Sequence, residues 1–213
     1  MEKEEIRDNK ELRRIIALKL GKMPYDELGA EDFEKIYEIA LNARLINGRE
    51  SGISLDAISL FPNLRRLKLS NYRITKEAIS KVASLAGLID LEIFGAEFEE
   101  GVTFEGLEHT LKSLRFYNCL QVDFKYPRLE EVWLNQTDID FSKIDLQTAR
   151  SLVIRNGNVR NICDLTDFPN LERVDLDGSI LTKGNEKVED IKVSSKTKYT
   201  HKEEVELING ERV

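Results

Sequence analysis

Six segments of the chain share one alternation of apolar and polar positions. They read LRRLKL from Leu64, LIDLEI from Leu88, LKSLRF from Leu111, LEEVWL from Leu129, ARSLVI from Ala149 and LERVDL from Leu171. In each, the first, fourth and sixth places are apolar. Successive side chains of an extended chain point to opposite faces. The fourth and sixth places therefore share one face, and the third, fifth and seventh share the other. The pattern predicts six short strands, each with one apolar side. No such strand can bury that side alone, but strands stacked in parallel share one continuous core.

The segments start 24, 23, 18, 20 and 22 residues apart. With LxxLxL, that interval predicts leucine-rich repeats, which run to 20–29 residues, with one short outlier. The fold class expected is α/β: a leucine-rich-repeat solenoid with parallel strands on its concave side and a mixed convex side of helix, 3₁₀ turn and loop. Ile74 to Leu85, ITKEAISKVASL, carries apolar residues at helical spacing and predicts a helical return. The next return, EFEEGVTFEGLEHT, is interrupted by Gly101 and Gly106 and predicts a loop with short turns.

Ahead of the repeats, DNKELRRIIALKLGK from Asp8 to Lys22 predicts an amphipathic helix. Asp8 with Glu11 three places on makes a capping-box-like start, and Gly21 is a stop. Leu12, Ile15, Ile16 and Leu20 form its apolar stripe, suited to covering the exposed end of a stack. This helix, then GAEDFEKIYEIALNARLI, then SLFPNLRRLKLSNYRI, resembles the helical cap and first repeats of bacterial internalin-type leucine-rich-repeat proteins. The resemblance covers about residues 8–181. It places Asp32, Ile36, Ile39 and Leu41 in register for a seventh strand near Glu38 to Asn42. Its ninth repeat place usually holds Asn. Here those places hold Tyr72, Ala96, Cys119, Thr137, Gly157 and Ser179, while Asn71, Asn118 and Asn156 stand one place earlier. INGRES is inserted between Leu45 and Gly52. The organisation expected is a helical cap over 1–35, a solenoid of about seven strands over 36–181, and a C-terminal region over 182–213. That last region is either a cap strand or hairpin or a flexible tail. Val188, Ile191 and Val193 keep the register for a last strand, and Val205, Leu207 and Ile208 before Asn209 and Gly210 suit a hairpin.

Composition narrows the function. The net charge of -7 and pI near 5.1 disfavour nucleic acid, which needs a local basic patch. No apolar run approaches the roughly 20 residues of a membrane span. The two cysteines, Cys119 and Cys163, lie in different repeats and predict free thiols in a reducing compartment. MEKEEIRDNKELRR lacks the basic start and apolar run of a secretory signal, so a cytoplasmic location is expected. Secretion or surface display is the alternative if a leader has been removed. His109 and His201 stand apart, and no nucleophile elbow, phosphate loop or dinucleotide fingerprint occurs. No enzyme, metal or cofactor is expected.

What remains is the polar face of the strands. Its predicted places carry five basic and six acidic residues. Phe94, Tyr117 and Trp133 come from three successive strands and are expected to form one aromatic patch, with Arg115, Arg155, Glu92 and Asn135 around it. Aromatic residues beside arginine have the chemistry of a binding hot spot. The expected function is a non-catalytic module that binds a protein partner on this concave sheet. Sugar binding by the same rings is the alternative, and covering by a loop, the tail or a second copy is the competing structural explanation.

Overall fold

The structure, a computed structural model, describes residues 9–43, 45–46, 49–50, 53–104, 106–107, 110–119, 129–144, 146–202, 207–208 and 211–212. It divides into two compact units, Met1–Leu111 and Lys112–Val213. Each unit is a short solenoid of parallel strands. The dividing point falls inside the stretch 36–181.

The first unit opens with helix α1, Lys10–Lys19. Its N-cap is Asn9 rather than Asp8, which lies outside the described residues. The Asn9 side chain accepts the N–H groups of Glu11 at 3.1 Å and Leu12 at 3.0 Å. Two of the helix's first unpaired donors are thereby satisfied. Leu12, Ile16 and Ala17 are fully buried. Gly21 takes a left-handed conformation (φ 68°), and the N–H of Lys22 closes the helix end on the Ala17 carbonyl at 2.8 Å. A single turn, α2, follows at Ala30–Glu34. Asp32 on this turn is buried and accepts from Lys22 at 2.7 Å and from the Gly29 N–H at 3.0 Å.

Strand β1 is Glu38–Asn42, the seventh strand expected from the sequence. A small antiparallel hairpin, β2 Leu45–Ile46 and β3 Arg49–Glu50, occupies the insertion. After a 3₁₀ turn at Leu55–Leu60 come β4 Arg66–Ser70, β5 Arg73–Ile74, helix α3 Lys76–Ala83, β6 Asp90–Phe94 and β7 Glu97–Phe98. β1, β4 and β6 pair in parallel, with Ile39 opposite Leu67 and Leu67 opposite Leu91. Leu41, Leu69 and Ile93 form the next row. All six are at most 1% exposed. Helix α3 is the predicted helical return. Thr75 caps it by accepting the Ala78 N–H at 3.1 Å, and Ala78, Ile79 and Val82 turn inward.

The second unit repeats the plan with less helix. Its strands are β8 Ser113–Tyr117, β9 Glu131–Asn135, β10 Ile139–Asp140, β11 Ser151–Arg155, β12 Asn158–Arg160, β13 Arg173–Asp175, β14 Ile180–Lys183, β15 Glu186–Lys187 and β16 Lys198–Thr200. A terminal hairpin pairs β17 Leu207–Ile208 with β18 Glu211–Arg212. The main sheet runs β8, β9, β11, β13, β16, all parallel. A side sheet stacks β10, β12 and β14, with β15 turned back antiparallel. The core row is Leu114, Val132, Leu152 and Val174, each no more than 2% exposed.

The last strand corrects one expectation. It is not Val188 to Val193 but Lys198–Thr200, with Tyr199 opposite Val174. Ile191 is buried, but in the return segment, where the Leu165 N–H donates to the Lys192 carbonyl at 2.7 Å. An end strand has a neighbour on one side only, so its sequence can be polar and its alternation faint.

Each strand of the repeat pattern ends in the same turn, at the eighth place. Asn71, Asn118, Gln136 and Asn156 have φ between 50° and 60°, and Gly95 and Gly178 have φ of 55° and 71°. Left-handed backbone costs ordinary residues roughly 1–2 kcal/mol, and Asn and Gly least. This explains why Asn stands one place early. Here it makes the turn, and the ninth place behind it is filled by a buried residue. Tyr72, Ala96, Cys119, Thr137 and Ser179 are at most 7% exposed. The Tyr72 hydroxyl donates to the Ile53 carbonyl at 2.5 Å, and Ser179 donates to the Ile154 carbonyl at 2.9 Å. Asn side chains also link strands. Asn71 donates to the Asn42 side chain at 3.0 Å, and Asn156 to that of Asn135 at 3.3 Å.

Gly157, at the ninth place, tests this packing. A Cβ there would lie 2.4 Å from the Thr137 carbonyl oxygen. Overpacking of this kind costs about 1–3 kcal/mol. Gly157→Ala is expected to lower the urea midpoint of unfolding by a corresponding amount. An unchanged midpoint would show that the neighbouring turn yields freely.

Candidate functional site: the open sheet face of the second unit

Register sets which outward side chains meet. The third places form the row Ser113, Glu131, Ser151, Arg173, Lys198. The fifth places form Arg115, Trp133, Val153, Asp175, Thr200. Tyr117, Asn135 and Arg155 begin the seventh-place row. Trp133 therefore lies between Arg115 and Val153, and Tyr117 is opposite Asn135. The two rings occupy diagonal places on adjacent strands, both half-buried. Phe94 and Glu92 belong to β6 of the first unit. Glu92 there is buried and pairs with Lys68 at 2.9 Å.

The outward face is not uniformly open, contrary to the simple alternation. Val153 is 1% exposed and Asp175 is 3% exposed, although both point away from the core. Ser113 is buried as well. Arg155 from the neighbouring strand and Arg173 from the same strand cover Asp175. Over the Trp133 ring stands the Arg173 guanidinium, 6.0 Å from the centroid. A cation–π contact at a part-exposed position contributes about 0.5–1 kcal/mol. The indole N–H of Trp133 is sealed from solvent and has no acceptor among the described residues. A buried donor left unpaired costs roughly 1–3 kcal/mol.

Asp175 organises the cationic side of this face. Arg155 donates to it twice, through Nη2 to Oδ2 and through Nε to Oδ1 at 3.3 Å. Arg173 donates to the same Oδ2 at 3.1 Å, and the Asp177 N–H to Oδ1 at 3.3 Å. Burial pushes the Asp175 carboxyl up, but the hydrogen bonds from Arg155, the Asp177 N–H and Arg173 outweigh it and hold the carboxyl below the ordinary 3.8. The same contact raises the Arg155 guanidinium. Both arginine side chains remain 40% or more exposed, so part of each guanidinium faces solvent. Arg115 lies 3.5 Å from Glu131. Asn135 is committed to the strand link with Asn156.

Some functional groups lay beyond the sequence pattern. Lys198 enters the third-place row only because β16 is the last strand. Lys202 follows two residues after Thr200, its carbonyl accepting the Gly178 N–H. The first unit carries a separate cleft of about 1030 Å³, lined in part by Tyr72, Arg73, Thr75, Lys81 and Glu97. Its lysine is already held by Asp56 at 2.7 Å and Glu77 at 2.8 Å. His201 places its ring nitrogens 3.1 Å from the Glu189 and Ser179 carbonyls. His109 lies outside the described residues, as do Val205, Asn209 and Gly210. Cys119 is buried and Cys163 exposed, both as free thiols.

No protein-family model and no curated protein sequence matches this chain. The fold and the site therefore stand on geometry alone.

The Asp175 cluster makes a pH prediction. A carboxyl whose folded pKa is depressed contributes stability that is complete above the unfolded value. That contribution is lost as pH falls through the folded value. Asp175→Asn is expected to destabilise the protein at pH 7 by about 1–3 kcal/mol. The gap between variant and wild type in urea unfolding, followed by Trp133 fluorescence, should shrink as pH drops below 3.8. A gap independent of pH would assign the effect to packing.

Proposed function

We propose that the chain is a leucine-rich-repeat protein, with α1 and α2 as an internalin-like N-terminal cap. In this reading it is a non-catalytic module that binds a protein partner on the outward sheet face of the second unit. The observation that carries this reading is the Trp133 group. One half-buried tryptophan, diagonal to Tyr117, lies under Arg173 and beside Arg115 on the outward face of the second unit's strands. Binding energy at protein interfaces concentrates on Trp, Tyr and Arg set in such surroundings. The parallel strands and buried leucine rows support the repeat assignment, and two free thiols support a reducing, cytoplasmic setting.

The test is affinity capture from lysate of the source cells with wild type and with Tyr117→Ala/Trp133→Ala. Circular dichroism confirms that the variant folds. The double variant is expected to lose at least about tenfold of a captured protein, the effect of removing one hot-spot pair. Iodide quenching of the single tryptophan in the free protein supplies the second readout. A Trp133 emission that iodide does not reach, with capture unchanged by the variant, would remove this face from consideration.

A further inference from the structure

We infer that the sheet face of the second unit is a docking surface for an acidic peptide segment. This rests on the reading of that face as a binding site and specifies what it binds. The chain as a whole carries a net charge of -7. Yet the outward places of the second unit's five strands present five cations: Arg115, Arg155, Arg173, Lys198 and, by alternation, Lys202. Against them stand three carboxylates, Glu131, Asp175 and Asp177. The face is thus positive by two charges on a negative protein. The equivalent places of β1, β4 and β6 hold Arg66 and Lys68 against Glu38, Asp90 and Glu92, one negative charge in excess. The positive face belongs to the second unit.

The distribution of the cations adds to their number. Arg155 and Arg173 are anchored on one carboxylate and balanced by Asp175 and Asp177, so the excess of two is carried by Lys198 and Lys202. Lys198 and Lys202 are exposed and form no ion pair among the described residues. They flank the arginines at the C-terminal edge of the sheet. Trp133 and Tyr117, on β9 and β8, supply an apolar surface on the opposite side of the arginines.

Size and chemistry then choose the occupant. Five strands about 4.8 Å apart span about 19 Å, the length of roughly six extended residues. Acidic side chains match the guanidinium groups bidentately, and apolar ones match the rings. A nucleic-acid backbone carries phosphate at every step. It would meet Glu131 and Asp177 interleaved among the cations, so it fits the face poorly.

The experiment uses the full chain and a fluorescein-labelled peptide of four Glu–Leu repeats. A Lys–Leu peptide of equal length and a labelled deoxythymidine decamer run beside it. Binding is read by anisotropy and by Trp133 emission excited at 295 nm. The Glu–Leu peptide is expected to bind and to shift Trp133 emission. Its affinity should fall at least about tenfold in Lys198→Glu/Lys202→Glu, and likewise when salt rises from about 50 to about 300 mM. Both lysines are exposed, so the variant's thermal midpoint should stay at the wild-type value and a lost fold is separable from lost binding. The proposal is overturned if the Glu–Leu peptide does not bind, if the charge-reversed variant binds it equally well, or if either control probe binds as tightly. Capture that depends on Tyr117 and Trp133 while the Glu–Leu peptide fails would leave the face a docking surface and remove only its preference for acidic segments.

Discussion

The structure depends on one backbone constraint: at the end of every strand of the repeat pattern the chain must turn left-handed at a single residue. Asn71, Gly95, Asn118, Gln136, Asn156 and Gly178 all meet it at the same place in the repeat. With the turn fixed there, the next side chain is delivered into the core, where Tyr72, Ala96, Cys119, Thr137 and Ser179 are buried. The turn also fixes the height of the strand before it, because parallel strands pair in register only if each leaves the sheet at the same level. Leucine rows inside and polar rows outside follow from that alignment. The side chains at the turn reinforce it, since Asn71 and Asn156 reach back to Asn42 and Asn135 on the preceding strands.

Much of this was legible because the repeat imposes period two at a 20-residue interval. The rows Leu67, Leu91 and Leu114, Val132, Leu152 could be read directly, and β1 and α3 followed from register and helical spacing. What escaped reading has physical causes. Asp8 and Asn9 are both good N-caps by residue type, and it is the Asn9 side chain that accepts the first N–H groups of the helix. β16 is an end strand with one pairing edge, so Tyr199 is its sole core-facing aromatic and the neighbouring Val188 to Val193 gave the stronger alternation. The meaning of the early Asn was hidden too, because composition reveals Asn but not its backbone angle.

The candidate site was legible in its parts and not in its arrangement. Trp133, Tyr117, Arg115 and Arg155 were placed on the outward face by alternation, and the structure puts them there. Burial of an outward residue, however, is decided by neighbours about twenty residues away in sequence. Asp175 is sealed by Arg155 and Arg173. Glu92 and Asn135, grouped with the aromatic residues by place number, serve an ion pair and a strand link. The lysines at the sheet edge lie on or just after β16, outside the repeat pattern, so alternation in the six segments does not reach them.

The nearest-neighbour character of the stack bears on how the protein is made. Within each unit every strand of the main sheet after the first pairs with the strand of the repeat just before it, and the side strands β12 and β14 do the same. The ribosome releases about 5–20 residues per second, so a new repeat emerges every one to four seconds or so. That interval is long compared with the microseconds in which short local segments find each other. Each strand can therefore settle on a template already in place, with no need to wait for the C-terminus. Synthesis and assembly advance in the same direction, and the edge awaiting a partner is always the newest one.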